Sequence, residues 1–324
     1  MMQIVLVGLG AGAAAALLFA SVASGVILSV FLFYLAPLPI LIAALGWSHW
    51  AGLVAAVAAA ACLGLAFGMF FFAAFLSGIG GPAWWLGYLA LMGRPAMNGG
   101  GSHLEWYPPG RLVLWAAILG ALVVTAGLAG FGGDEQTIHG GLKSALDRML
   151  HLQAGVAADE PLRFPGVQDA DRLIDLFAAA LPPVAATVAA IAQTGNLWLA
   201  ARIVKLSDRL KRPWPDLCAM SFPPYAAALL GIAIAATFMP DLAGLIASLF
   251  AATLTLAFAV LGFAVIHAVT RGIKGRAGIL AGAYWVVAVT GWPVLIMALI
   301  GLAETLFRLR ARAGRRGPPT SPKG

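Results

Sequence analysis

The first 93 residues of this chain contain no Asp, Glu, Lys or Arg, and their only readily ionisable side chain is His49. A water-soluble domain needs a charged, solvated face, so a stretch of this length without one belongs in a bilayer. At roughly 20 apolar residues per crossing it supplies about four passes. Small or helix-breaking residues separate them, in place of charged loops. The rest of the chain agrees. Only 10% of its 324 residues are charged, against about 25% in soluble domains, and the mean hydropathy is +0.93. The fold class that follows is all-α, a polytopic helical membrane bundle of about eight to ten transmembrane helices, some broken or short. Residues 1–310 form one transmembrane domain, and 311–324 a disordered basic tail.

Small residues at 20–25 offer a cleavage site, but no positive charge precedes Ile4 and the apolar run continues. A retained first helix is therefore expected over 3–22. The second, over 26–47, carries Pro37 and Pro39, each lacking a backbone donor, so a kink or unwound segment is expected there. The third begins near His49 and the fourth near Phe67, with a possible break at 78–82. Trp84, Trp85 and Tyr88 fit an aromatic belt at a membrane surface or a stacked ligand site. A loop over 94–111 leads to a helix over 112–131. The next helix covers 173–204, interrupted in its first half by Pro182 and Pro183. Helices over 224–238 and 241–270 follow. The last apolar run, 279–307, is broken at Gly291-Trp292-Pro293.

The segment 134–175 is the one long polar stretch, with eight acids and four bases. Leu142, Ala145, Leu146, Met149 and Leu150 recur at helical spacing, which predicts a short amphipathic helix at the interface. The loops 202–216 and 271–276 and the tail are basic. Net charge is +7. Basic residues in short loops are explained by membrane orientation, not by nucleic acid. The positive-inside rule places these loops, the tail and the N-terminus in the cytoplasm and 134–175 outside a bacterial inner membrane. The 279–307 run must then return to its starting side as a hairpin.

Two ladders of small residues stand out: Gly8, Gly12 and Ala16, then Gly52, Ala56, Ala60 and Gly64. Such ladders let two backbones approach closely. They serve packing inside this protein or docking onto another membrane protein. Cys62 and Cys218 read as small core residues, without disulfide or metal spacing.

The N-terminal run GLGAGAAAALLFASVASGVILSVFLFYLAPLPILIAALGW resembles the YybS-like family of predicted bacterial membrane proteins. So does the Gly-Leu-Ala-Glu before an aromatic and arginines at 301–310. That family is similar in helical pattern to the substrate-binding S components of energy-coupling-factor transporters. The resemblance implies a transport-related subunit whose ladders dock a coupling subunit in the membrane.

No nucleotide loop, metal-protease motif, CxxC or nucleophile motif is present, so no catalytic role, cofactor or metal site is expected. Polar residues within membrane helices are the default functional flag. Gln193 and Asn196 are three apart and share a helix face. Tyr34 sits beside the proline break, and broken helices often line binding cavities. These three are the candidate ligand contacts, the ligand itself being unidentified. His267 is read as interfacial, and Glu304 as an ion-pair partner of Arg308. The alternative to a transport-related binding subunit is a membrane scaffold without a small-molecule ligand. A water-accessible pocket at Tyr34, Gln193 and Asn196 favours the first, and a packed core the second.

Overall fold

The computed structural model describes residues 1–98, 101–157, 160 and 169–314. Asp159 and Arg163 of the acidic segment and residues 315–324 of the tail lie outside these. The chain folds as a polytopic helical membrane protein. Among the described residues seven stretches are long and apolar enough to cross a bilayer: Met2–Ser24, Ile27–Gly46, His49–Phe67, Met69–Ala90, Pro109–Leu128, Ala170–Leu206 and Asp241–Val269.

The first of these is α1 (Met2–Ala20) and a closing turn that stops at Gly25, whose φ of 68° ends the run. Next come α2 (Ile27–Tyr34) and α3 (Pro37–Gly46). The expected break falls between them, and both prolines sit in the first turn of α3. There no backbone donor has an intrahelical partner to lose. The third span is α4 (His49–Phe67), capped by the Ser48 hydroxyl. The fourth is α5 (Met69–Phe75) and α6 (Gly81–Ala90), joined by a π-helical segment, Leu76–Gly80, where a break was expected.

The 94–111 segment is no plain loop. It forms an antiparallel hairpin of β1 (Gly93–Asn98) and β2 (Gly101–Trp106), with Arg94 opposite Glu105 at 2.8 Å. The overlooked signal is Asn98 followed by three glycines, a turn composition that suits tight hairpins. The bundle continues with α7 (Pro109–Leu128), α8 (Glu135–Ala154) and α9 (Ala170–Leu206). It closes with α10 (Tyr225–Ala236), α11 (Asp241–Val269), α12 (Arg276–Thr290), α13 (Val294–Phe307) and α14 (Leu309–Gly314).

Helix α9 runs unbroken through Pro182 and Pro183, contrary to the expected interruption. Proline removes one hydrogen bond per residue, but packing can hold a membrane helix through that loss. Here Ala178, Pro182 and Ala186 are all buried on the packed face. At 37 residues α9 is about 55 Å long, well beyond the roughly 30 Å hydrocarbon core. Its ends therefore project, Asp171 and Arg172 on one side, Arg202 and Lys205 on the other.

Charge divides the two ends of the bundle. At one end Lys211 donates to the Trp47 carbonyl (2.7 Å), and Arg212 to the carbonyls of Ala90 and Tyr107. There too Arg271 pairs with Asp216 at 2.9 Å. Arg310 reaches the carbonyls of Cys218 and Met220. The basic loops are thus gathered together. The chain leaves this end at Arg276, beside the His267 carbonyl, and is back at it by Arg310, after α12 and α13, which are divided at 291–293 where a break was expected. Glu304 pairs with Arg310 (2.9 Å), not with Arg308. Arg308 adopts a left-handed conformation (φ 51°) that ends α13 and turns the chain, carrying Arg310 back over Glu304. At the opposite end α8 lies across α7, α9 and α11, burying Ile138 and Leu142. The Asp134 carboxylate caps its first turn through Thr137, a favourable place for an anion. The helix read from periodicity is therefore present, and of the spaced apolar residues Leu142 is buried.

Both small-residue ladders face inwards. A Cβ on Gly8 would lie 2.6 Å from Val54, and one on Gly12 2.7 Å from the Ala55 carbonyl. Ala16 is buried in the same cluster. On the partner helix, Gly52 meets Ala44 of α3, Ala56 meets Gly80 of the π segment, and Gly64 meets Phe72 of α5. Ala60 has no exposed surface. The surface that an external docking subunit would need is occupied by the protein's own helices. The same device recurs where Gly262 and Gly301 bring α11 and α13 to backbone contact. Cys62, expected in the core, is exposed on the outer face.

Ala60→Leu should therefore lower thermal stability in detergent, by about 1–3 kcal/mol through overpacking. Gly10→Leu, on the same α1 but with nothing within 4 Å of a Cβ, should change it little. Equal, small effects of both would show that the α4 ladder looks outwards.

Candidate functional site

A regular helix through residue 38 would have its amide bonded to the Tyr34 carbonyl. Because the helix restarts at Pro37, the Leu38 amide bonds instead to the Leu35 carbonyl, at 2.9 Å. The Tyr34 carbonyl is left in the membrane without a backbone donor, a condition lipid does not relieve. Asn196 of α9, 162 positions away, supplies one: its Nδ2 donates to that carbonyl at 2.8 Å and to the Ala192 carbonyl at 2.8 Å. This contact fixes the α2–α3 break against the middle of α9.

One turn before Asn196 lies Gln193, 4% exposed. Its Oε1 is buried and accepts no hydrogen bond among the described residues. An unpartnered acceptor in such a place costs on the order of 1–3 kcal/mol. The side chain borders a cleft of about 680 Å³ between α2, α5, α7 and α9, within the range of small-molecule sites. Tyr34 and Pro37 stand on one wall; Phe19, Phe33 and Ser77 on others; Phe131 carries the rim towards the acidic end. The lining is overwhelmingly apolar, and the Ser77 hydroxyl is engaged with the Ala73 carbonyl at 2.7 Å. Gln193 is thus a buried amide in the cleft lining whose acceptor is free; the Asn196 Oδ1, one turn on, is likewise buried without a partner among the described residues.

Tyr34, Gln193 and Asn196, singled out from sequence, are brought to one place, but their roles separate. Asn196 holds the Tyr34 carbonyl, Gln193 lines the cleft, and Tyr34 takes part in both. The phenylalanines of the wall were not identified beforehand, because aromatic residues in membrane helices have no signal that separates cavity from lipid. Trp84, Trp85 and Tyr88 pack against one another and against Trp115. Trp84 stacks on Tyr88 with ring centres 6.0 Å apart, and Trp85 meets Trp115 edge-on at 5.6 Å.

A second cavity, of about 570 Å³, lies at the basic end between α7, α9, α11 and the 207–217 loop. His267 lines it, bonded to the Tyr284 hydroxyl at 3.0 Å, with Arg212 on the facing loop. Burial lowers the pKa of Arg212 below the usual arginine value. The burial of Arg212 was not anticipated. The available signal was the prolines flanking Trp214, which stiffen a loop and hold it inwards. Thr194, Gly195, Leu197 and Trp198 of α9 border this cavity, while Ala189, Ala192 and Gln193 border the first.

Asn196→Leu should lower stability by about 1–2 kcal/mol, because it orphans the Tyr34 carbonyl. Gln193→Leu should be neutral or stabilising, since it removes an unpaired acceptor. Thermal unfolding in detergent orders the two variants, and the reverse order would contradict these assignments.

A family model described as Predicted membrane protein (DUF2232) matches residues 13–304. The chain belongs to this family, the YybS-like one that its terminal stretches resemble. No curated protein and no solved structure matches it.

Proposed function

We propose that this member of the DUF2232 family binds a small, mostly apolar molecule within the membrane, as a transport-related protein. The observation that carries the reading is the buried, unpartnered Gln193 amide beside a cleft of about 680 Å³. Apolar walls supply affinity through area removed from water. A single amide supplies orientation, and it discriminates against analogues lacking the matching donor. A scaffold would have no use for such a cleft. The inward-facing ladders favour self-contained packing, so the reading rests on the cleft and not on a coupling subunit.

Orientation completes the proposal. The positive-inside rule assigns the basic end to the cytoplasm of a bacterial inner membrane. Helix α1 runs parallel to α4, with Gly8 beside Ala51 and Gly12 beside Ala55, so the N-terminus starts at that same end. The acidic helix α8 and the rim of the cleft then face outwards, and the ligand enters from outside. Reporter fusions after Lys274 and after Arg310 should show cytoplasmic activity, and one after Gly155 periplasmic activity. A periplasmic reporter after Arg310 would overturn this orientation.

Native mass spectrometry of protein extracted in mild detergent tests the binding reading. The wild type should carry a bound small molecule. Gln193→Leu should weaken its retention roughly tenfold, the worth of one buried hydrogen bond. Ala192→Phe, which fills the cleft, should abolish it. A wild type that carries nothing, and is indistinguishable from Ala192→Phe, would contradict the reading.

A further inference from the structure

We propose that the second cavity binds an anionic amphiphile, its head on the Arg212 guanidinium and its chain among the apolar walls. This stands apart from the Gln193 cleft and does not depend on it.

Arg212 is only 9% exposed. Its Nη1 and Nη2 donate to the carbonyls of Ala90 (3.1 Å) and Tyr107 (3.2 Å). Its Nε is buried and has no partner, and no carboxylate of the described residues lies within ion-pair distance of it. Carbonyl dipoles satisfy N–H groups but do not cancel a charge, and an uncompensated buried charge is costly. Ala90 closes α6, whose C-terminal end contributes a partial negative charge; a full counter-charge is still missing. Arg212 is itself one of the residues that line the cavity.

More positive charge surrounds the same wall. Trp214, also in the lining, has Lys205 4.9 Å and Arg202 5.6 Å from its ring centre. The remaining walls are apolar, with Leu112, Val260 and Phe263 among them. A free inorganic anion would satisfy the guanidinium and leave these walls against water. An amphiphile satisfies both. Trp198, half-exposed on the outer face of α9, borders the cavity and marks a lateral way in from the lipid. The shared chemistry is a phosphate or carboxylate head on an apolar chain, supplied by a bilayer phospholipid or by a free fatty acid.

The test uses the full chain in a neutral detergent with a fluorescent carboxylate amphiphile, 11-(dansylamino)undecanoic acid, and its uncharged amide. The wild type should bind the carboxylate at least about tenfold more tightly, the usual worth of a charge-assisted hydrogen bond. Arg212→Gln should erase that preference. Ala264→Phe, which narrows the cavity without touching Arg212, should weaken both probes. If Arg212→Gln does not fold, Arg212→Lys keeps the charge and should keep the preference, so Ala264→Phe then decides. Competition separates the sources: displacement by phosphatidylglycerol but not phosphatidylcholine identifies a phospholipid, and displacement by oleate alone a fatty acid. Equal binding of both probes by the wild type would overturn the proposal. So would a preference that survives in Arg212→Gln, or displacement by inorganic phosphate as effective as by either amphiphile.

Discussion

The hydrogen bond from Asn196 to the Tyr34 carbonyl is the contact on which the arrangement of this bundle turns. In lipid every backbone polar group must find a partner inside the protein. Pro37 restarts the second span and leaves the Tyr34 carbonyl without its usual donor. A side chain from α9 takes it. Two helices far apart in sequence are thereby locked at mid-bundle. The break that results is a supported break, with a defined wall on either side. The first cleft lies against that wall, and the buried, unpartnered acceptor of Gln193 is three residues away on the same face of α9.

Around this contact the bundle is built from close backbone approaches. Glycine and alanine let α1 lie on α4, α4 on α3, α7 on α9 and α11 on α13. Lipid tails are as apolar as leucine, so these helices are held by packing and by sparse hydrogen bonds, not by exclusion from water. Tight pairing on small residues leaves gaps where larger side chains splay neighbours apart, and both cavities border α9. Their linings meet on that helix at Gln193 and Thr194, one opening towards the acidic end and the other lying at the basic end.

Much of this was legible in the sequence because membranes impose strong rules. The absence of charge over residues 1–93 fixes the class. Proline at 37 predicts the break, and three-residue spacing puts Gln193 and Asn196 on one face. Helical spacing reveals α8, and Gly291-Trp292-Pro293 the break between α12 and α13. What stayed hidden depends on tertiary contacts. A ladder such as Gly52-Ala56-Ala60 shows that a face is smooth, not which way it looks. Pro182 and Pro183 look like a break until packing on one face, at Ala178, Pro182 and Ala186, holds α9 continuous. Arg212 looks like an ordinary loop cation until the fold brings the ends of α6 and β2 over it. The hairpin at 93–106 had a local signal in Asn98 and the glycines after it, overshadowed by the helical context.

An experimental map of the protein in a lipid nanodisc, at a resolution that shows side chains, bears most directly on the central claim that Gln193 is held free for a ligand. The account predicts Asn196 on the Tyr34 carbonyl and non-protein density running from the Gln193 amide into the cleft between α2, α5, α7 and α9. A map in which those helices close together, with the Gln193 amide bonded to a protein group and no space beside it, would contradict it.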